Sequence, residues 1–539
     1  MPSESKSPSE ASHRISHMTY YPSILNDVIG PVMRGPSSSH CAAALRIGRM
    51  ARDLMDGEIA TVLVEFDPNG SLATTHESQG SDMGLLGGLL GWDATDERLP
   101  DAPRWIGAAG VHIETRITDL RAPHPNTYRL TLSNAAEQHT MIAISTGGGM
   151  IEVVAIDGVA VALAGDFYET LLYLDSGAAG LLAYLHAHVD ADEIALRRGA
   201  HAQFVELKAQ RWLAPHIATA LRSQFGVTGY KQISPVLPVL SRRDMRVPFI
   251  TCAEMLQYDA GQNLALWELA LRYECARGNL SEAQVFERMR EIVQIMQASI
   301  RKGSADARYA DRILGHQSGP YQARLAEGRL LDGGMLNRII LDVTALMEAK
   351  SAMEVIVAAP TAGACGGLPG AVIGAASEMG LSVEEMTKAM LAGGLIGVFI
   401  AAHATFAAEE GGCQAECGAG SGMAAAALVT LAQGTAGQAI AAASLALQNI
   451  LGMICDPVAN RVEVPCLGKN VLAASNALAC ANMALAGYDP VIPLDEVIET
   501  MDRVGKALPR ELRCTALGGL SVTKTSRAIE AKLNAKRSA

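Results

Sequence analysis

Aromatic residues are scarce in this 539-residue chain, at 4%, and charged residues, at 19%, fall below the usual quarter. Low charge with 49% hydrophobic residues argues for a large buried interior and for self-association, with a homodimer expected. Basic runs and basic-aromatic stripes are missing and the net charge is −12, so nucleic acid is not expected as a partner. The first 18 residues, MPSESKSPSEASHRISHM, lack an apolar core segment and read as a disordered tail rather than a secretion signal. Without such a signal a cytoplasmic location is expected, and disulfides are not. An uninterrupted apolar span is also lacking. The stretches 391–408 and 423–454 are broken by His403, Thr405, Gln433 and Gln438, so buried helix is expected and no membrane partner. Finally, no C-x2-C occurs, which argues against a zinc ribbon and against ferredoxin-type cluster runs.

What is abundant is small and aliphatic. Ala, Leu, Val, Ile and Met are interleaved with 52 Gly, a pattern of closely approaching helices. The length implies two or three domains. Residues 19–160 mix strand patterns (61–68, 113–120, 126–133, 141–148 and 151–158) with helices, as an α+β domain. Residues 164–240 read strand, helix, strand, strand, helix, strand, the ferredoxin-like order. There DSGAAGLLAYL (175–185) resembles the ACT small-molecule-sensing module, with a plain spacer domain as the alternative. A polar linker holding Arg242, Arg243, Asp244, Arg246 and Pro248 leads into a mostly helical domain over 250–525, in which Ser281 and Ser382 read as helix N-caps. Residues 526–539 read as a C-terminal tail.

Three segments of the helical domain carry candidate chemistry. APTAGACGGLPGAV (359–372) is a Pro-Thr turn with a Gly-rich helix start, whose free backbone N–H groups suit an anion. A tight turn between packed helices is the competing reading. EEGGCQAECGAGSGMAAAAL (409–428) holds Cys413 and Cys417, which share one helix face at i and i+4. CDPVANRVEVPCLGKN (455–470) holds Cys455 and Cys466. Glu409, Glu410, Gln414, Asp456, Glu463 and Lys469 make these turns polar beside very apolar helices. Most of the ten cysteines read as small buried hydrophobes, and spacing alone does not nominate ligands.

The order of motifs goes further. IGPVMRGPSSSHCAAALRIGRMA (29–51), HPNT (124–127), STGGGMIEV (145–153), APTAGA, EGGCQAE, CDPVANRVEVPC and LRCTALGGL (512–520) together resemble the iron–sulfur-dependent L-serine dehydratases, over about 19–525. The resemblance implies a [4Fe–4S] cluster held by Cys413, Cys455 and Cys466, with Cys417 auxiliary. One iron is then left open as a Lewis acid. It further implies elimination of water from L-serine, giving pyruvate and ammonia without pyridoxal phosphate. Ser37, Ser38 and Ser39 become candidates for substrate binding or for simple helix capping, and His40 for acid/base work or a structural role. His124, Asn126, Thr361 and Gly363 are further site candidates.

The chain also departs from the family pattern. Gln79 stands where a histidine of a TGKGHGTD-like segment is expected, with His76 three residues earlier as the possible substitute. Cys514 replaces a glutamate. These departures leave other β-substituted amino acids (L-threonine, L-cysteine or a modified amino acid) open as substrates, and also a non-catalytic amino-acid sensor.

Overall fold

The structure, a computed structural model, describes residues 21–537 apart from Ser78, Ala307, Ala310 and Asp311. The tail expected over 1–18 lies outside the described residues.

The first strand, β1 (Val32–Arg34), belongs to neither of the larger sheets described next. Six strands follow in one sheet: β2 (Thr61–Phe66), β3 (His112–Ile117), β4 (Thr127–Ser133), β5 (Gln138–Gly147), β6 (Met150–Ile156) and β7 (Val159–Leu163). Their spatial order is β3-β2-β4-β5-β6-β7, with only the β2–β3 pair parallel. Alternation places Tyr128, Leu130 and Leu132 on the buried face. The helices Ala43–Asp53 and Ser81–Leu89 cross almost in backbone contact, because Gly48, Gly84 and Gly88 face each other's carbonyls. A Cβ on Gly48 would run into the Leu85 carbonyl oxygen, and one on Gly88 into that of Leu45.

The middle sheet holds β8 (Tyr168–Leu174), β9 (Glu193–Arg198), β10 (Gln203–Ala209) and β11 (Val227–Ile233), all antiparallel in the order β11-β8-β10-β9. With helices Ala178–His188 and Pro215–Gln224 interposed, this is the ferredoxin-like order read from the sequence. Leu172, Leu181, Leu185, Val205, Leu207 and Leu221 form its own small core. Lys208, buried between strands, is neutralised by Glu169 at 2.8 Å and Glu206 at 3.4 Å.

From residue 252 onward helices dominate. Ser281 caps Glu282–Ser304 and Ser382 caps Val383–His403, each through a reciprocal capping box with Gln284 and Glu385. Val383–His403 is long and apolar enough to cross a membrane by composition, yet it lies mostly buried inside this helical core. Its glycines explain how. Gly394 abuts Ile24 and Gly397 abuts Val28, both from the N-terminal turn Ile24–Val28. Burying Ile24 and Val28 completely contributes about 1.5–3 kcal/mol each. Fully buried Glu274 holds the turn by accepting the Ile24 amide at 2.8 Å and the Ser23 hydroxyl.

This changes the placement of one segment. Residues 22–34, read with the N-terminal α+β domain, pack into the helical region. β1 there pairs antiparallel with β12 (Val355–Val357), Val32 opposite Val357. Sequence patterning missed both because each has only three residues. The C-terminal residues also differ from the expected tail. Lys524–Arg537 is a helix whose Ile529 and Leu533 pack on Val458, Ala459, Val464 and Ile313.

Candidate active site

The helical region gathers five cysteines. Gly412, at φ +72°, turns the chain sharply before Cys413, and a Cβ there would crowd Leu508 and the Met453 carbonyl. Gln414 then fixes the segment. It receives the Gly452 amide at 2.8 Å, donates to the Met501 carbonyl at 2.7 Å, and is itself buried. The π-helical turn Gln414–Gly418 leaves the Cys417 and Cys413 thiols hydrogen-bonded. Cys455 comes from 38 residues beyond Cys417 and also bonds Cys413. Cys466 opens the helix Cys466–Leu485, and the Cys413 charge acts on it. Cys514, half-buried, packs beside Cys413 and Cys455 and bonds the Cys455 thiol.

The loop between Cys455 and Cys466 is braced on several sides. The Cys455 amide reaches the Leu512 carbonyl at 2.8 Å, and the Cys514 amide the Cys455 carbonyl at 3.1 Å. Glu463 accepts from the Ile313 and Leu314 amides at 2.7 and 3.0 Å, and the Lys350 ammonium reaches the Val462 carbonyl. The Ala459 amide donates to Ser526 on the C-terminal helix at 2.8 Å.

Electrostatics single out one thiol. Hydrogen bonds from Cys417 and Cys455, with help from the Lys469 charge, hold Cys413 well below the ordinary thiol range despite its burial. Burial, then the Cys413 charge, pushes Cys466 up. Lys469 lies 3.9 Å from the Cys413 sulfur and 2.7 Å from both Asp456 and the Ile454 carbonyl. Burial opposes its charge, but Cys413 and Asp456 outweigh that and raise its pKa. The Cys413 thiolate therefore has a counter-charge beside it.

Thr361 and Gly363 belong to this centre. The Thr361 hydroxyl donates to Glu416 at 2.6 Å, and Glu416 abuts Gly363. Glu416 is pushed up to about 8 by burial and by the Cys413 charge. One Glu416 oxygen and the Cys413 and Cys455 sulfurs lie within 4.8 Å of one another. The sequence reading passed over Glu416, although it closes the EGGCQAE motif; nothing local reveals that this carboxyl turns inward.

The free amides expected at the 359–372 helix start are not available. Buried Asn470 accepts the Gly366 and Gly367 amides at 3.1 and 2.9 Å, and Thr361 accepts that of Ala364 at 3.2 Å. The same Asn470 donates to the carbonyls of Gly363 at 2.8 Å and Cys466 at 2.9 Å. It ties the turn to the cysteine centre rather than leaving it open to an anion.

A second group forms in the N-terminal domain. Ser37 does not cap the π-helical turn Ser38–Ala42 through its side chain; its hydroxyl meets His40 Nδ1 at 2.9 Å, and Ser39 does so at 3.2 Å. Ser38 begins that turn and is buried. His40 Nε2 meets Thr75 at 3.0 Å, and burial pushes its pKa down to about 4, so the imidazole is neutral near pH 7. The Ser71 hydroxyl bonds Asn126, whose amide meets His124 Nδ1 at 3.1 Å. Burial lowers His124. His76 pairs with Asp82 at 2.7 Å, which raises its pKa against partial burial. Gln79 caps no chemistry in this group; its amide closes a turn to the Thr75 carbonyl at 2.9 Å. The structure thus brings Ser37, Ser39 and His40 together, and Asn126 with His124. Among the described residues, no hydrogen bond or ion pair joins this group to the cysteine centre.

Comparison with known proteins gives the geometry a lineage. A family profile described as "Serine dehydratase alpha chain" matches residues 261–521, which include all five cysteines. The "Probable L-serine dehydratase, alpha chain" of Bacillus subtilis is 35% identical over 285 residues, 53% of this chain and 95% of the relative. The chain belongs to the serine dehydratase family. A second family member, the "L-serine dehydratase, alpha chain" of Peptoniphilus asaccharolyticus, is 34% identical over 52% of this chain and 96% of its own length. The "Probable L-serine dehydratase, beta chain" of Bacillus subtilis is 36% identical over 36% of this chain and 90% of its own length. Most of each of two separate Bacillus family chains therefore has a counterpart in this one.

The thiols also fit the group that the family resemblance implies. All ten cysteines are free, and Cys413, Cys417, Cys455 and Cys466 are no more than 6% exposed. Soft sulfur donors on separate braced segments, with a neighbouring ammonium, suit iron–sulfur ligation better than a hard cation.

Proposed function

We infer that this chain is an L-serine ammonia-lyase acting by dehydration, a cytoplasmic enzyme that converts L-serine to pyruvate and ammonia and works as a homodimer. The observation that carries this reading is the buried cysteine centre, in which the Cys413 thiolate is flanked by Lys469 and by Glu416 beneath the Thr361–Gly363 turn. Cys413, Cys455 and Cys466 would hold a [4Fe–4S] cluster, which when bound supplies a Lewis acid for the departing β-hydroxyl oxygen.

The remaining work falls to side chains. Loss of the Cα proton and of the β-hydroxyl yields an enamine, which tautomerises to an imine and hydrolyses to the 2-oxo acid. Lys469 places positive charge beside the sulfur donors, where negative charge would otherwise accumulate. Glu416 holds a proton beside the thiols, oriented by the Thr361 hydroxyl. Burial of the centre excludes bulk water, which strengthens each of these interactions. The Ser37–His40 group remains a candidate for binding the amino acid, with His40 neutral and hydrogen-bonded at both ring nitrogens.

The test is anaerobic reconstitution with iron and sulfide, followed by pyruvate detection from L-serine, with L-threonine and L-cysteine in parallel. The wild type is expected to be brown, oxygen-sensitive and active. Cys455→Ala is expected to lose both chromophore and turnover. A colourless wild type without iron, or a loaded protein that yields no 2-oxo acid from any of the three, would refute this reading.

A further inference from the structure

The cysteine centre has two ammonium groups beside it, and the fold compensates them differently. Lys469 brings its own counter-ion, Asp456 at 2.7 Å. Lys350 does not. It sits near the end of the helix Met335–Ser351, fully buried, and its ammonium donates to the Val462 carbonyl. Among the described residues no carboxylate forms an ion pair with it. Glu348, on the same helix, and Glu463, next to Val462, are both held by Arg312, at 3.5 and 3.3 Å. Glu416, on which the Lys350 charge also acts, is kept largely protonated near neutral pH by burial and by the Cys413 charge.

The position of this lysine is as specific as its isolation. Val462 lies four residues before Cys466, so the ammonium rests against the segment that delivers the third cysteine of the set. Its charge favours the ionised forms of Cys466 and Cys365, which burial disfavours. Cys365 meets the Met347 sulfur at 3.9 Å, one turn back along the lysine's own helix. An ammonium taken out of water either gives up its proton or meets something negative. No side-chain carboxylate fills that role here, and the anionic group within reach of its charge is the thiolate set.

We propose that Lys350 is the buried counter-charge of the iron–sulfur group, a full positive charge that the protein sets beside the Cys466 segment and does not cancel with a carboxylate of its own. The proposal rests on the cluster reading above. Lys469 and Asp456 together add no net charge to the centre, whereas Lys350 adds one. Thiolates around a cluster leave it net negative, and the net charge of such a group is one of the factors that set its reduction potential. Positive charge at Lys350 stabilises the thiolates and any added electron, so it raises that potential.

A redox titration followed by electron paramagnetic resonance, on full-length protein reconstituted anaerobically with iron and sulfide, tests this. K350Q keeps a donor for the Val462 carbonyl but removes the charge. It should weaken electron uptake at least tenfold, about 59 mV for one electron, with the same iron and sulfide content as wild type. K350R should restore the wild-type potential. The double variant K469M with D456N removes a paired charge of each sign and should shift the potential less than K350Q does. A K350Q potential equal to that of wild type, with the cluster fully loaded, overturns the proposal, makes Lys350 a tether for Val462 alone and leaves the cluster reading intact. If K350Q assembles no cluster, K350R decides: a cluster kept with arginine supports the charge, and one lost with arginine as well overturns it. Absence of any cluster in the wild type overturns both readings.

Discussion

Asn470 offers the sharpest check on how the centre is built, because one buried side chain satisfies four backbone groups. Its oxygen accepts the Gly366 and Gly367 amides and its nitrogen donates to the Gly363 and Cys466 carbonyls. In Asn470→Ala no water reaches these groups without local opening, since the residue is fully buried. Leaving a buried donor unpaired costs about 1–3 kcal/mol, so the two amides alone should cost about 2 kcal/mol or more. Hydrogen exchange read by mass spectrometry on the 363–372 peptide measures this directly in the cofactor-free protein. A loss of about 2 kcal/mol corresponds to about thirtyfold faster exchange through local opening. Asn470→Asp keeps an acceptor for both amides but loses the donors, so it should protect Gly366 and Gly367 while loosening the Gly363 and Cys466 carbonyls. Exchange in Asn470→Ala within about threefold of wild type would refute the account of this side chain as the tie between turn and thiols.

Further perturbations probe other contacts. Gly88→Ala forces a methyl against the Leu45 carbonyl and should destabilise the N-terminal domain by about 1–3 kcal/mol, seen as a lowered melting transition. His40 sits near pKa 4 when folded, against about 6.5 when free, so the unfolded chain binds the extra proton between these values. Its contribution is present above pH 6.5 and is lost as the pH falls toward 4, by about 3 kcal/mol in total. Urea unfolding of His40→Gln should be flatter than wild type across that window, and an equally steep profile would remove His40 as the cause. Leu533→Ala removes the buried anchor of the C-terminal helix and should cost about 2 kcal/mol. It should also speed iron release to a chelator by loosening the Cys455–Cys466 loop; an unchanged rate would mean the helix does not brace that loop.

Local patterning accounts for much of this molecule. Strand alternation marks β2 to β6, and the interleaved strands and helices over 164–240 mark the ferredoxin-like unit, because half-buried sheets impose a period of two. The Ser281 and Ser382 caps are legible for a similar reason: the capping box is a contact between residues three apart. The order of Gly- and Cys-bearing motifs is enough to mark the family. Tertiary structure alone decides which groups meet across long sequence separations. Cys514 comes beside Cys455 through a single backbone bridge, Glu416 turns inward to Thr361, and Asn470 occupies the amides that looked open to an anion. The short strands β1 and β12 exist only because each supplies the other's hydrogen bonds, so neither carries a pattern of its own. Short-range periodicity records how a segment meets the core. It holds no record of which distant donor will satisfy a buried acceptor, and that pairing is what separates an inventory of cysteines from a working centre.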